Sequence, residues 1–364
     1  MSEPTRPAAA PFAPLAFRCG KTMRNRYMLA PLTNQQSHAD GMLGEDEYRF
    51  LTMRAHGGFG AVMTCAASVL REGVAFEGQL GIHDDAHLPG LRRLAAGIQA
   101  GGALALVQLH HGGMRASAER IGRAPMAPSD DEKTGAVAMT TAEVETARDA
   151  FIAAARRAHA AGWDGVEIHG AHGYLLAEFL SPEQNRREDD WGGTPAKRAR
   201  LLDDVIDGVR AATGPEFLVG VRLSPERFGQ RLEEIVALTE RLLVDPRLDF
   251  VDLSLWDVDK EPVDPAFAGR KLASFFTDLP RDGVRLGAAG KIATPADVQA
   301  LLAAGFDFAL PGRAAILHHD LPAQHRTAAD FTPRALPVPA ETLHAEGLGP
   351  AFVDYMRRWD GFVA

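Results

Sequence analysis

The stretch VEIHGAHGYL, residues 166–175, sets His169 and His172 three residues apart and Tyr174 two further on, directly after an apolar run of strand character. Two imidazoles at that spacing suit three chemistries: zinc ligation, activation of a hydrolytic nucleophile, or donation of two N–H groups to an oxygen that gains negative charge. The zinc reading lacks a third ligand nearby, and the chain has no HExxH, although His110 and His111 remain eligible in three dimensions. No GxSxG elbow is present either. A phenol, with an ordinary pKa of about 10, suits the delivery of one proton late in a reaction. The expectation for the site is therefore an oxyanion clamp made by His169 and His172, with Tyr174 as an acid and with no metal.

Such a cluster needs a rigid frame. Eight short apolar runs recur along the chain at 26–29, 61–66, 103–109, 165–169, 217–223, 250–255, 284–290 and 306–312. Runs apolar throughout are what parallel strands buried on both faces require. Helical segments separate most of them. One opens with Thr141 and Glu143 and stops at Gly162; others start with Thr194-Pro195 and Thr294-Pro295, hydroxyl caps with proline in the first turn. Two joints look alike, AGWDGVEI (161–168) and AGFDFALP (304–311), with RLDFVDLSL (247–255) a looser third. The pattern predicts an α/β chain forming a (β/α)8 TIM barrel, rather than a doubly wound open sheet. The barrel domain is placed at residues 1–330, with its core at about 25–325 and a Pro-rich N-terminal arm. Residues 331–364 form an extension: a Pro-rich connector, then a short amphipathic helix in PAFVDYMRRWDGFV that caps the barrel or meets another subunit.

Barrels keep their chemistry at the C-terminal ends of strands. Those ends here supply Pro31 and Thr33, Cys65 and Ala66, Gln108 with His110 and His111, then the His169–Tyr174 cluster, Arg222, Trp256, Gly290-Lys291 and Gly312-Arg313. Glycine beside a cation and before a helix, at the last two strands, predicts a phosphate site. Gln108 offers a donor and an acceptor while Arg222 offers only donors, a pair suited to a heterocycle with carbonyls and ring nitrogens. Trp256 lines a substrate tunnel or packs a loop, and Cys65 reads as a small buried packing residue.

A net charge of −9 disfavours nucleic acid and anionic membranes as partners. No apolar run reaches the length of a membrane span, and the opening MSEPTRPAAAPFAPLAF lacks the continuous apolar core of a secretory signal. The expectation is a soluble cytoplasmic protein that binds a small molecule, with a homo-oligomer left open. No GxGxxG follows a strand, so no separate dinucleotide domain is expected.

These residues together resemble the Old Yellow Enzyme family, the FMN-dependent NADH:flavin oxidoreductases and ene-reductases. NRYMLAPLT (25–33) is similar to the family's opening strand and GFGAVMTCAASV (58–69) to its second. VQLHHGG (107–113), the long block AGWDGVEIHGAHGYLLAEFLSPEQNRREDDWGG (161–193), VRLS (221–224) and PGR (311–313) complete a resemblance over roughly residues 12–325. It implies a TIM barrel holding FMN at its mouth, with NAD(P)H as reductant. By this resemblance Thr33, Pro31 and Ala66 lie along the flavin, Gln108 bonds its pyrimidine, Arg222 sits at its N1/O2 side, and Gly290, Gly312 and Arg313 bind its phosphate. His169 and His172 bind the substrate carbonyl, and Tyr174 is the proton donor. The implied mechanism is ping-pong: NAD(P)H reduces FMN, and reduced FMN passes hydride to the β-carbon of an α,β-unsaturated carbonyl while Tyr174 protonates the α-carbon.

Departures from the family pattern include Met114 where relatives carry arginine in HxGR, Cys65 where acidic residues are common, Lys197 where asparagine is usual, and Pro311, which removes an N–H near the phosphate. A same-fold alternative is an FMN-dependent dehydrogenase or demethylase acting on an amine. Further rivals are a metal-dependent hydrolase using the histidines and a flavin-binding sensor or carrier.

Overall fold

The computed structural model describes residues 10–364, so the first nine residues of the Pro-rich arm lie outside the described residues. Eight strands build one sheet: β1 (Met28–Leu29), β2 (Ala61–Ser68), β3 (Leu104–His110), β4 (Gly165–Gly170), β5 (Leu218–Leu223), β6 (Phe250–Ser254), β7 (Arg285–Ala289) and β8 (Phe308–Ala309). Each pairs in parallel with the next in the chain. A parallel bridge from Tyr27 to Ala309 joins first to last, with Ala309 N donating to Arg26 O at 2.9 Å, and closes the (β/α)8 barrel. β1 and β8 are shorter than the apolar runs suggest because only this bridge extends their pairing.

The resembling joints have a common physical cause. In each, the aspartate before a strand accepts the backbone N–H that opens the preceding strand region. Asp164 accepts from Ala105 N at 2.9 Å, Asp249 from Val219 N at 2.9 Å and Asp307 from Leu286 N at 3.0 Å. Asp249 also takes Cys19 N at 2.7 Å and the Arg210 guanidinium at 2.7 Å, tying the N-terminal hairpin to the barrel floor. Removing one partner of a buried ion pair strands the other. Asp249→Ala is therefore expected to lower unfolding free energy by about 3 kcal/mol or more. A urea midpoint equal to that of the unaltered protein would refute this role for the joint.

The floor is plugged by the hairpin Leu15–Ala16/Thr22–Met23, whose Leu15, Phe17 and Met23 pack on Phe250 and Phe308 inside the barrel. Room for these rings comes from neighbouring strands. A Cβ on Gly220 would stand 2.1 Å from Phe250 Cζ, and one on Gly287 would stand 2.2 Å from Phe308 Cε2.

Hydroxyl caps start the surrounding helices. The helix Thr141–Ala160 is capped one residue earlier than its sequence suggests, by Thr140, in a capping box with Glu143. Thr194 and Thr294 cap Pro195–Thr213 and Pro295–Ala303 as expected. The sixth unit departs from the pattern. Its helix shrinks to Ser274–Thr277, and a long loop beginning at Leu255 takes its place over the mouth. The C-terminal segment forms two short helices, Ala340–Ala345 and Pro350–Met356. It folds onto its own barrel: Phe352 meets Phe50 edge-on at 5.2 Å, and Gly349 N donates to Gln36 Oε1 at 2.7 Å.

Candidate active site

A cavity of about 1020 Å³ opens at the C-terminal mouth. The residues expected to act on substrate or hold the cofactor line it: Pro31 and Thr33 after β1, Ala66 on β2, Gln108 on β3, His169, His172 and Tyr174 from β4, Arg222 on β5, Trp256 after β6, Gly290 after β7, and Gly312 and Arg313 after β8, whereas His110 and His111 are buried behind the cavity wall. Cys65 is turned away from it. Its thiol is buried 3.3 Å from Glu47 Oε1 and pushed up by burial and by that carboxyl, which leaves it a packing group.

The clamp is built by backbone geometry. His172 and Gly173 are both left-handed, φ 61° and 68°, and turn the chain sharply after β4. Only glycine takes this conformation freely, and His172 is held there by its N–H to Ser224 Oγ, 3.0 Å. The turn brings His172 Nδ1 to 3.3 Å from His169 Nε2. Hydrogen bonds at the two rings set the protons. Ala171 N donates to His169 Nδ1 at 3.3 Å, which places the His169 proton on Nε2. His169 Nε2–H therefore donates to His172 Nδ1 across 3.3 Å. His172 Nε2 lies 2.7 Å from Ser254 Oγ, and with Nδ1 accepting from His169 the His172 proton sits on Nε2 and is donated to that hydroxyl oxygen. A substrate oxygen accepting from both rings would take the place of the bond between them once the His172 proton sits on Nδ1. Burial holds both imidazoles well below their ordinary pKa, with His172 and Arg222 the next largest influences respectively, so they act as neutral donors. Tyr174 is raised by burial and partly eased by the Arg115 cation, which keeps the phenol protonated.

On the opposite side, Gln108 Nε2 donates to Glu167 Oε1 at 2.7 Å, turning its amide oxygen toward the cavity. Arg222 Nε lies 3.0 Å from Asp252 Oδ2, yet the pair is not aligned as a hydrogen bond, so Nε and both Asp252 oxygens stay without one. Burial raises Asp252, while the Arg222 cation pulls the other way; burial and then Asp252 raise Glu167. A donor–acceptor amide beside a buried guanidinium with an unused N–H fits the pyrimidine edge of a flavin. At the far end, Arg313 is exposed and, among the described residues, pairs with no carboxylate. Lys291 is held by Asp257 at 2.8 Å. A Cβ on Gly290 would press on Asp257 N at 2.9 Å, and around Gly312 the nearest atom is 3.5 Å off, so the wall stays thin. The phosphate reading thus rests on Arg313 and the glycines rather than on helix ends. The helix beginning at Arg313 has only five residues, and the one after β7 starts at Pro295.

Met114, which departs from the family pattern, does not face the cavity; it packs with Ala127 and Ala136, and its N–H goes to Glu178 Oε1 at 2.8 Å. Arg115, the next residue, lines the mouth instead, with its guanidinium 5.1 Å over the Tyr174 ring. His318, near the end of the helix that follows β8, is buried and accepts Arg334 N at 3.0 Å. Sequence reasoning missed Ser254, while the C-terminal helix takes the capping alternative, with Phe352, Tyr355, Met356 and Trp359 lining the mouth. Behind the site, burial depresses His111 to about 4. Its folded pKa lies below its ordinary 6.5, so the unfolded chain binds the proton first and stability is lost as pH falls through that window. Relative to His111→Gln, the unaltered protein is expected to lose about 2 kcal/mol between pH 7 and 5. Chemical denaturation at both pH values measures it; a gap independent of pH would overturn the assignment.

A TIM barrel whose mouth gathers the Gln108 amide, the buried Arg222 guanidinium, the exposed Arg313 and two adjoining imidazoles suits an FMN-dependent oxidoreductase. The model of the NADH:flavin oxidoreductase / NADH oxidase family matches residues 11–265. The chain is 39% identical over 313 residues to the probable NADH-dependent flavin oxidoreductase YqiG of Bacillus subtilis, covering 83% of this chain and 84% of that one. It superposes on the old yellow enzyme homologue from Zymomonas mobilis with a TM-score of 0.80 at 29% identity, over 95% and 99% of the two chains. Morphinone reductase in complex with tetrahydroNAD gives 0.79 at 26% identity, over 95% and 97%. The chain belongs to the Old Yellow Enzyme family. It is an enzyme of that type, with FMN as cofactor and NAD(P)H as reductant. Among the described residues no helix is long and apolar enough to cross a membrane.

Proposed function

We propose that this enzyme reduces the C=C bond of an α,β-unsaturated carbonyl compound or a similarly activated alkene. The observation that carries the reading is the facing pair His169 Nε2 and His172 Nδ1, 3.3 Å apart and both neutral. Gln108, Arg222, Thr33, Pro31 and Ala66 would hold the isoalloxazine, and Gly290, Gly312 and Arg313 its phosphate. In that seat FMN would supply, from NAD(P)H, the hydride that the β-carbon needs. The two imidazoles take the carbonyl oxygen and stabilise the charge it gains as the enolate forms. The Tyr174 O–H gives its proton to the α-carbon and recovers one from water. Phe352, Tyr355 and Met356 roof the cavity and exclude water from this step. Neutral donors fit this reductive direction better than the amine-oxidising alternative, which needs a base. We also infer a cytoplasmic site of action on a small molecule.

The visible spectrum tests the reading. A flavin band that bleaches under anaerobic NAD(P)H and returns on adding a cyclic enone is expected; a band that bleaches and stays bleached with activated alkenes would refute it. We also propose that Trp256 limits substrate size. It is 46% exposed, left-handed at φ 65°, and stacked with Arg227 at 4.9 Å over the mouth. Trp256→Ala is expected to raise kcat/KM for bulky β-substituted enones by about tenfold relative to 2-cyclohexenone, since a pocket contact is worth about 1–3 kcal/mol. An unchanged ratio would count against it.

A further inference from the structure

One buried polar atom beside the site has neither a partner nor, so far, a role. His110 closes β3, is fully buried, and its Nε2 makes no hydrogen bond. Gln79 fixes which nitrogen of that ring carries the proton. The Gln79 amide is oriented by main chain at both ends: Oε1 accepts from Ala75 N at 2.8 Å, and Nε2 donates to Ala66 O at 2.8 Å. The same Nε2 lies 3.0 Å from His110 Nδ1 and, having a second hydrogen, donates it there. Nδ1 is the acceptor, so the proton of the neutral ring sits on Nε2. Burial keeps the ring neutral, depressed to about 3. This ring packs edge-to-face against Tyr174 at 4.3 Å, with His169 at 5.5 Å. The ring that carries this unbonded N–H therefore packs against the ring of Tyr174, the proposed proton donor. An orphaned buried donor is costly, and charge appearing on the adjacent ring relieves that cost.

We propose that Gln79 and His110 form a positioning pair for Tyr174, in which Gln79 sets the imidazole tautomer and His110 holds the phenol in register and stabilises it once its proton has left. The inference rests on the proton-donor reading of Tyr174. The proton balance is closed: the Tyr174 O–H bond breaks as the α-carbon C–H bond forms, and water restores the phenol before the next turnover. The charged and titratable groups facing that phenol are Arg115 from the loop after β3, His110, His169 and, from the C-terminal segment, Tyr355.

The test uses the FMN-loaded enzyme and three variants: Gln79→Met, which keeps length without a donor, His110→Phe, which keeps the ring, and Tyr174→Phe as reference. The phenolate absorbance of Tyr174 is obtained by subtracting the Tyr174→Phe titration. Its midpoint is expected to rise by about one pH unit in Gln79→Met and His110→Phe. Re-oxidation by 2-cyclohexenone should slow about tenfold in both, while ferricyanide, which needs no carbon protonation, re-oxidises them at the unaltered rate. An unmoved midpoint, or equal slowing with both oxidants, would overturn the proposal; Gln79→Met decides alone if His110→Phe does not fold. If Tyr174→Phe leaves the enone rate unchanged, the proton-donor reading fails instead, whatever the titration shows.

Discussion

Tyr174→Phe is expected to slow re-oxidation of the NAD(P)H-reduced enzyme by 2-cyclohexenone about 10²–10⁴-fold, the usual weight of one positioned general acid. Reduction by NAD(P)H should proceed at its normal rate. The split follows from geometry. The phenol is raised by burial, so it stays protonated through neutral pH, and it is held by the short turn that also carries the histidines. Its backbone N–H goes to Ala171 O at 3.3 Å, and Leu175 N to His111 O at 3.1 Å, which pins the acid between β3 and β4. Phenylalanine keeps the ring contacts and removes only the proton. A stopped-flow experiment separates the half-reactions. Equal slowing of both, or of neither, would show that Tyr174 does not deliver the proton.

The barrel was legible because its physical demands are local. Strands buried on both faces must be apolar, and the aspartate joints repeat because Asp164, Asp249 and Asp307 meet the same need for an acceptor at a strand start. The positions that line the mouth were legible for a related reason: parallel strands all end on one face of the barrel, so Gln108, His169 and Arg222 could be placed from their runs alone. What stayed hidden depends on contacts between distant segments. Ser254 reaches His172 from β6, eighty-two residues away, and nothing in SLWD marks it. Arg115 was masked by the one-residue difference between Met114 and its neighbour, since the short turn Gly113–Arg115 decides which of the two side chains faces the cavity. The C-terminal cover was legible as an amphipathic helix, but its apolar face alone does not specify what it covers. The seat of Phe352 on Phe50 and the Gly349–Gln36 bond fix the segment on its own barrel, with Tyr355 and Met356 at the mouth.

The histidine pair carries the second large effect. His169→Ala and His172→Ala are each expected to lower kcat/KM for 2-cyclohexenone about 10²–10³-fold, the weight of one oxyanion donor. The double variant should fall short of the product, because two donors on one oxygen act as a unit. Both rings are neutral and held well below their ordinary pKa by burial. The clamp therefore gains nothing from protonation near neutrality, and the enone half-reaction should show no step at pH 6–7 from either ring. Replacing His172 by asparagine keeps a side-chain N–H donor and should recover most of the loss suffered by His172→Ala; an imidazolium acid would not be rescued so. Stopped-flow rates across pH 5–8 for the three single variants measure this directly. A step in the pH profile that disappears with His172 would convert the clamp into an acid and reassign the proton that Tyr174 is argued to supply.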